Sequence, residues 1–336
     1  MKPDTNHIRK TLSITLLRIE SSKIRMMNLV FMVILSSFMS LHLSAQAIKS
    51  LDKTDGLRLF VAEENMTPAL RIIIPGHPES DRSIEIIFPE HVTAIQHDSK
   101  DVKHLYIYRP DSPREHSAWR QVKESFEYER DLPGAIHMLA RATLEEDGVR
   151  LHYELSNQSD TMYDMIYVVT CPRLTNLFHD LRMQRTYVHY KDGFELLASE
   201  VPTRLDIPLG QWLPCRCLAS YTWPVPSHRV EHREDGVTYY YSSRAVDKPL
   251  IATLSSNYEW VVASFSRETG NVWSNPELTC QHVDPQISLP PRQKVVLEIK
   301  ILVIRGALND VLKKVEDQRN SLKKRINPSP VTNKSL

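Results

Sequence analysis

The sequence predicts an all-β chain of antiparallel strands closed by one C-terminal helix, and three observations carry that prediction. Short apolar runs alternating with period two fill most of the 336 residues. Three Asp-Gly pairs, Asp147-Gly148, Asp192-Gly193 and Asp235-Gly236, stand beside such runs at hairpin positions. Proline is plentiful (21) and glycine scarce (9). That balance favours many short elements ended by proline-bearing turns, and it leaves no glycine-rich phosphate loop.

Residues 57–62 (LRLFVA) alternate in strand fashion, and residues 70–75 (LRIIIP) form an apolar run ended at Pro75-Gly76. Residues 83–88 (SIEIIF) alternate up to Pro89. Residues 103–108 (KHLYIY) place Leu105 and Ile107 on one face and Tyr106 and Tyr108 on the other. A polar loop follows over residues 111–120. Residues 125–130, 136–146, 149–157 and 163–169 read as successive strands, with Asn157 to Asp160 punctuating the last connection. Residues 186–190 and 194–198 flank Asp192-Gly193, and residues 237–243 follow Asp235-Gly236. Two apolar strands over 250–255 and 260–265 precede the longest one, 293–304. The period changes only near the end. Leu308, Val311, Leu312 and Val315 fall at helical spacing in residues 307–325, which close on Lys323, Lys324 and Arg325. Residues 326–336 are expected to be a disordered tail. No repeat or linker divides residues 48–325, which read as a single β-sandwich domain.

The apolar fraction of 41% supports a sizeable core, and the formal charge of +1, with both signs interspersed, gives no footprint for nucleic acid. Residues 1–47 read as a signal-peptide region. Lys23 and Arg25 precede an apolar run from Met27, and Ala45-Gln46-Ala47 supplies a small-x-small cleavage site. Ser36, Ser37, Ser40 and His42 make the run short and polar for a membrane span, so no stable span is expected after cleavage. The stretch before Lys23 is long for such a signal, and a start at Met26 or Met27 would shorten it. The expected location is periplasmic or secreted.

Four cysteines in an exported chain invite disulfides. Cys215 and Cys217 are too close in sequence to bridge without strain. Two pairings remain, each joining Cys171 and Cys280 to the Cys215-Arg216-Cys217 segment. Four free, buried thiols are the alternative.

The densest chemistry lies in residues 250–285. There Cys280, His282 and Asp284 alternate, and an extended backbone would turn all three to one face. Such a face can bind a metal or pair an acid with a base. The acid–base role is the one assigned, with His282 as acid/base and Asp284 orienting its ring. The bland reading is a loop with Cys280 buried and the other two bonded to backbone. A second cluster, His179, Arg182 and Arg185, follows the strand ending near Cys171, where arginine forks would suit a uronate carboxylate. Solvated ion pairs are the plainer reading of those arginines. Trp212, Trp223 and Trp273, with Asn275 nearby, lie in loops where an indole stacks on a pyranose or simply packs. Trp260 is read as core, and Tyr239-Tyr240-Tyr241 as a strand with aromatics on both faces. GxSxG, HExxH, Walker and GxGxxG patterns are all absent, so no metal and no cofactor is assigned.

Several segments taken together resemble the galactose-mutarotase-like supersandwich superfamily, in particular its secreted bacterial members. They are residues 143–160 (TLEEDGVRLHYELSNQSD), 171–180 (CPRLTNLFHD), 250–263, 280–285 (CQHVDP) and the terminal strand followed by 306–312. The resemblance runs from Phe60 to Asp317 and rests on the order of short motifs. It implies a large antiparallel supersandwich with a carbohydrate ligand in its cleft. Epimerases of that superfamily use a histidine acid and a glutamate base, and neither His152 nor His282 reproduces their motif here. The expectation is therefore an exported protein that binds or acts on a saccharide. The alternative is a non-catalytic β-sandwich that serves as a surface binding or scaffold protein.

Overall fold

The structure is a computed structural model. It describes residues 50–52, 56–62, 68–99, 101–109 and 119–328. The signal region, with its cleavage site near Ala47, and most of the polar loop expected over 111–120 lie outside the described residues.

In chain order the strands are β1 (Ser50–Asp52), β2 (Arg58–Val61), β3 (Ala69–Ile73), β4 (Ser83–Gln96), β5 (Val102–Ile107), β6 (Arg120–Val122) and β7 (Ser125–Leu132). The run continues with β8 (Ile136–Glu145), β9 (Gly148–Asn157), β10 (Tyr163–Arg173), β11 (Thr186–Tyr190) and β12 (Gly193–Leu196). After a short helical segment (Leu209–Trp212) come β13 (Cys215–Ser220), β14 (Val230–His232), β15 (Thr238–Tyr241), β16 (Leu250–Leu254), β17 (Trp260–Ser266) and β18 (Asn271–Ser274). Then follow β19 (Gln286–Leu289), β20 (Gln293–Arg305), the helix α1 (Leu308–Gln318) and β21 (Lys324–Pro328).

They form three sheets. A seven-stranded sheet runs β1-β2-β3-β4-β10-β19, with β5 also on β4. A ten-stranded sheet runs β12-β11-β16-β17-β20-β9-β8-β7-β6, with β21 also on β20. A four-stranded sheet, β14-β15-β13-β18, contains the parallel pair β13–β15; the pairings of the two large sheets are antiparallel. The architecture is the expected one, all-β with large antiparallel sheets and a C-terminal helix.

The Asp-Gly turns close hairpins as the sequence indicates. Glu145 pairs with Gly148 across Asp147, and Tyr190 pairs with Gly193 across Asp192. Gly148 has φ +155, and a Cβ there would lie 1.9 Å from Ile301 O, so that turn admits only glycine.

The alternation of β20 builds two cores. Val295, Leu297, Ile299, Ile301 and Val303 join the main core between the large sheets, together with Leu70, Ile72, Ile84, Ile86 and Leu155. Leu302 and Ile304 point the other way and pack with Val311 and Val315 of α1. The helix stops at Gln318 rather than reaching Arg325, and Lys324–Pro328 instead pairs with β20, Leu297 facing Lys324. The tail expected from residue 326 therefore begins inside a strand.

Strand β4 passes through Pro89, where the sequence pattern stops it. Its register with β10 skips there: Val169 faces His91, but Cys171 faces Ile87. A proline at such a bulge forfeits no ladder bond. The same bulge takes Thr170 out of register, which bears on the site.

Candidate functional site

On β4 and β10, Val92, Ala94, Ile166 and Val168 point into the main core. Their neighbours His91, Tyr167 and Val169 are turned by the strand period to the opposite face of the seven-stranded sheet. The four-stranded sheet covers that face by the same logic. Cys217, Ala219, Tyr240 and Val272 enter the core, while Leu218, Tyr239, Tyr241 and Trp273 face outward from it. Between the two surfaces lies a cavity of about 560 Å³. Its chemistry-bearing walls are His91, His104, Asp284, Arg233 and a set of aromatic rings including Trp223, Trp273, Tyr239 and Tyr241.

The polar groups converge from separate elements. His91 and His104, on paired strands, meet edge to face at 5.7 Å between ring centroids, and His104 Nδ1 is 2.9 Å from Thr93 Oγ1. Burial lowers the pKa of His91, with Asp284 and Glu90 pulling the other way, so its imidazole stays neutral below the ordinary range. Asp284 is fixed from behind. The Thr170 amide, freed from the ladder by the bulge, donates to Asp284 Oδ1 at 3.1 Å, and His282 Nδ1 lies 3.2 Å from Oδ2.

The aromatic rim is equally determined. Tyr239 and Tyr241 alternate with Tyr240 along β15, so the pair faces the cavity while Tyr240 packs toward Trp212. Arg233 lies over the Tyr239 ring at 3.9 Å and pairs with Glu231 at 3.0 Å. Trp223 leans on the backbone of Gly270, where an added Cβ would meet its indole at 2.2 Å. The amides of Tyr221, Thr222 and Trp223 all donate to Gly270 O, which pins that loop.

Of the site residues singled out from the sequence, Asp284, Trp223 and Trp273 line this cavity, whereas His282, Asn275, His179, Arg182, Arg185 and Trp212 do not. His282 is fully buried behind it, stacked on Trp273. Asn275 is buried too, its Nδ2 3.4 Å from Cys280 Sγ and its Oδ1 accepting from the Leu278 amide. His179 Nε2 is 3.1 Å from Pro276 O. Arg182 donates to the carbonyls of Arg204 and Ile207, and Arg185 to those of Leu254 and His179. Trp212 is completely buried and donates to Leu181 O. Backbone carbonyls take up these guanidinium and indole groups, which positions loops rather than a ligand. Among the cavity residues the sequence reading did not assign His91, His104 or Arg233.

The four cysteines are free and buried, so neither pairing through residues 215–217 forms. Cys171 lies instead against Cys280, Sγ to Sγ 3.3 Å, because β10 and the segment before β19 run side by side.

No protein-family model matches the chain, and no curated protein matches it. Among solved structures it is similar to a Synechocystis sp. PCC 6803 protein, with 10% identity, TM-score 0.45 and coverage of 77% of this chain and 96% of that one. It is also similar to a galactose mutarotase related enzyme from Lactobacillus acidophilus, with 10% identity, TM-score 0.44 and coverage of 78% and 98%. A third is an alpha-N-acetylgalactosaminidase from Bifidobacterium bifidum, with 8% identity and TM-score 0.44; the match covers 81% of this chain but 39% of that longer one. The solved structures similar to this chain thus include galactose mutarotase-like proteins.

Proposed function

We propose that the protein binds a saccharide in the cavity between the seven- and four-stranded sheets, and that it is equipped to move a proton there. One observation carries this reading: His91, His104 and Asp284 share a cavity of about 560 Å³ with Trp223, Trp273, Tyr239 and Tyr241. Aromatic faces suit the C–H faces of a pyranose, and a few convergent polar groups suit its hydroxyls. His91 is a proton acceptor in its neutral form, and Asp284 faces the same space, so the pair can exchange a proton with a sugar hydroxyl or ring oxygen. Arg233 is the cation at the rim and would favour a uronate. In this reading Asp284 acts directly and the buried His282 orients it. The sequence pattern assigned those two roles the other way round. The N-terminal signal pattern supports action outside the cytoplasm.

The test is calorimetric titration of the purified protein with neutral and uronic glycans, alongside His91→Ala and Asp284→Asn, with anomer exchange followed by NMR. Saturable binding lost in both variants is expected, and exchange abolished by either would make the protein an enzyme. Binding unaffected by both variants would sink the cavity as the site. Binding without any exchange would leave the non-catalytic glycan binder.

A further inference from the structure

Behind the cavity wall is a cluster of which the saccharide reading uses only His282, as the support of Asp284. One donor atom from each of Cys171, Cys280 and His282 lies within 4.8 Å of the others, and the three residues are at most 1% exposed. His282 Nδ1 is engaged by Asp284, which leaves Nε2 as the free end of the ring. That Nε2 is buried with no oxygen or nitrogen partner, and the Cys171 thiol is the group that acts on the ring from this side. Leaving a buried imidazole nitrogen unsatisfied is costly, and a bound ion would satisfy it. A carboxylate holding the far side of a histidine ring is the usual outer support of a metal-bound imidazole.

We propose that Cys171, Cys280 and His282 form a three-coordinate site for a soft monovalent cation, Cu(I). The donor set is two thiolates and one imidazole, which selects soft ions. The coordination number selects among them. Structural zinc almost always takes four ligands, and the described residues offer no fourth. Asn275 turns its amide nitrogen, a donor, toward Cys280 Sγ, and both Asp284 oxygens are already engaged. Two thiolates and one Cu(I) leave a single negative charge, and the Arg173 guanidinium borders Cys171 to balance it. Arg173 is itself held by Glu85 at 3.3 Å and Glu90 at 3.6 Å. On binding, both thiol protons and any proton on His282 Nε2 go to solvent, and no electron is transferred.

The bulge that separates Val169 in the cavity from Cys171 in the cluster gives the ion a second consequence. His282 bonds Asp284 and stacks on Trp273, so a bound ion would lock two cavity residues through one ring.

The test uses the full chain, reduced and handled without oxygen, titrated with Cu(I) held by bathocuproine disulfonate. One copper per chain should leave the chelator, with a thiolate-to-copper band in the near ultraviolet. X-ray absorption should show two sulfurs and one nitrogen around it. Cys171→Ser, Cys280→Ser and His282→Gln should each weaken retention at least tenfold, whereas Cys215→Ser with Cys217→Ser should not. Near-ultraviolet circular dichroism checks that each variant is folded, and the absorption spectrum of the unsubstituted protein needs no variant at all. No copper retained by the reduced protein would overturn the site, as would a coordination shell of other composition. Tighter, four-coordinate binding of Zn(II) in a parallel titration would overturn the choice of ion.

Discussion

Trp273 and His282 stack face to face, with ring centroids 3.6 Å apart and planes within 3° of parallel. Their backbones exchange hydrogen bonds in an isolated bridge, Trp273 N to His282 O at 3.2 Å and His282 N to Trp273 O at 3.1 Å. The bridge carries the segment before β19 under the edge of the four-stranded sheet. It also explains why Asp284, two residues further on, arrives at the cavity wall with its carboxylate already held.

Asp284→Asn should therefore separate function from folding. The amide oxygen can still accept from Thr170 N, so the lost stability is that of one charged hydrogen bond, about 1–3 kcal/mol. Proton transfer needs the carboxylate. Saccharide exchange or binding should fall at least tenfold while the thermal transition stays cooperative, read by calorimetry on the same samples. An unchanged affinity alongside a large loss of stability would make Asp284 a purely structural residue.

Gly270→Ala addresses the aromatic rim. A Cβ placed 2.2 Å from Trp223 Cε2 cannot coexist with the present indole position, so the ring must leave the cavity wall. An aromatic contact of this kind is worth about 0.5–1.5 kcal/mol, and its loss should weaken glycan Kd by roughly two- to tenfold. Trp223→Ala should give the same loss, and the two changes combined should not add. Additive losses would mean that Gly270 acts on something other than Trp223.

The pH profile should report on His91. Burial lowers its pKa, so the imidazole remains neutral at pH values where an ordinary histidine, near 6.5, is already charged. If neutral His91 is the acceptor, activity or binding holds through pH 6.5 and falls only at more acid pH. His91→Gln should remove that acid limb. A limb centred at or above 6.5 would assign the titration to a different group.

The fold was legible in the sequence because its evidence is local. Asp147-Gly148 and Asp192-Gly193 announce their hairpins, and Tyr239-Tyr240-Tyr241 divides between core and cavity as a period of two requires. The site was legible only in part because bulges change that period. Pro89 ends the apparent strand two residues before His91, although the bulge carries β4 onward. A second bulge, between Val92 and Thr93, sets Tyr106 against Val92 and His104 against Thr93. The faces of β5 therefore cannot be counted from residues 103–108 alone. Residues 280–284 were conspicuous as a pattern, but their partner Cys171 is 109 positions from Cys280. The arginines at 182 and 185 look ligand-directed in sequence because backbone carbonyls, their actual acceptors, leave no mark there.

Lys300 anchors the far side of the molecule and fixes how stability depends on acid. Its side chain is completely buried on the α1 side of β20, paired with Glu145 and, at 2.8 Å, with Asp147 Oδ1. Lys314 and Gln318 of α1 each donate to Asp147 Oδ2 at 2.8 Å, so the β8–β9 turn is tied to both strand and helix. Burial alone would raise both carboxylates. Hydrogen bonds from Arg150 and Lys300 to Glu145, and from Lys300 and Lys314 to Asp147, outweigh it and hold both below their ordinary range. Glu298, bonded by His152, is lowered in the same way. A depressed folded pKa means stability that is fully present above the unfolded carboxylate value, about 4, and lost as pH falls through the folded one. The contribution of these carboxylates, read by urea unfolding, should thus be constant from neutral pH down to about pH 5 and decline steeply below it. Lys300→Met removes the shared cation and leaves Glu145 to Arg150 and Asp147 to Lys314 and Gln318, at a cost of about 1–3 kcal/mol at neutral pH. Acid protonates these two carboxylates more readily in the variant, so the gap between variant and unsubstituted protein should narrow as pH falls. A gap that is independent of pH would show that Lys300 contributes through packing of its alkyl chain rather than through its charge.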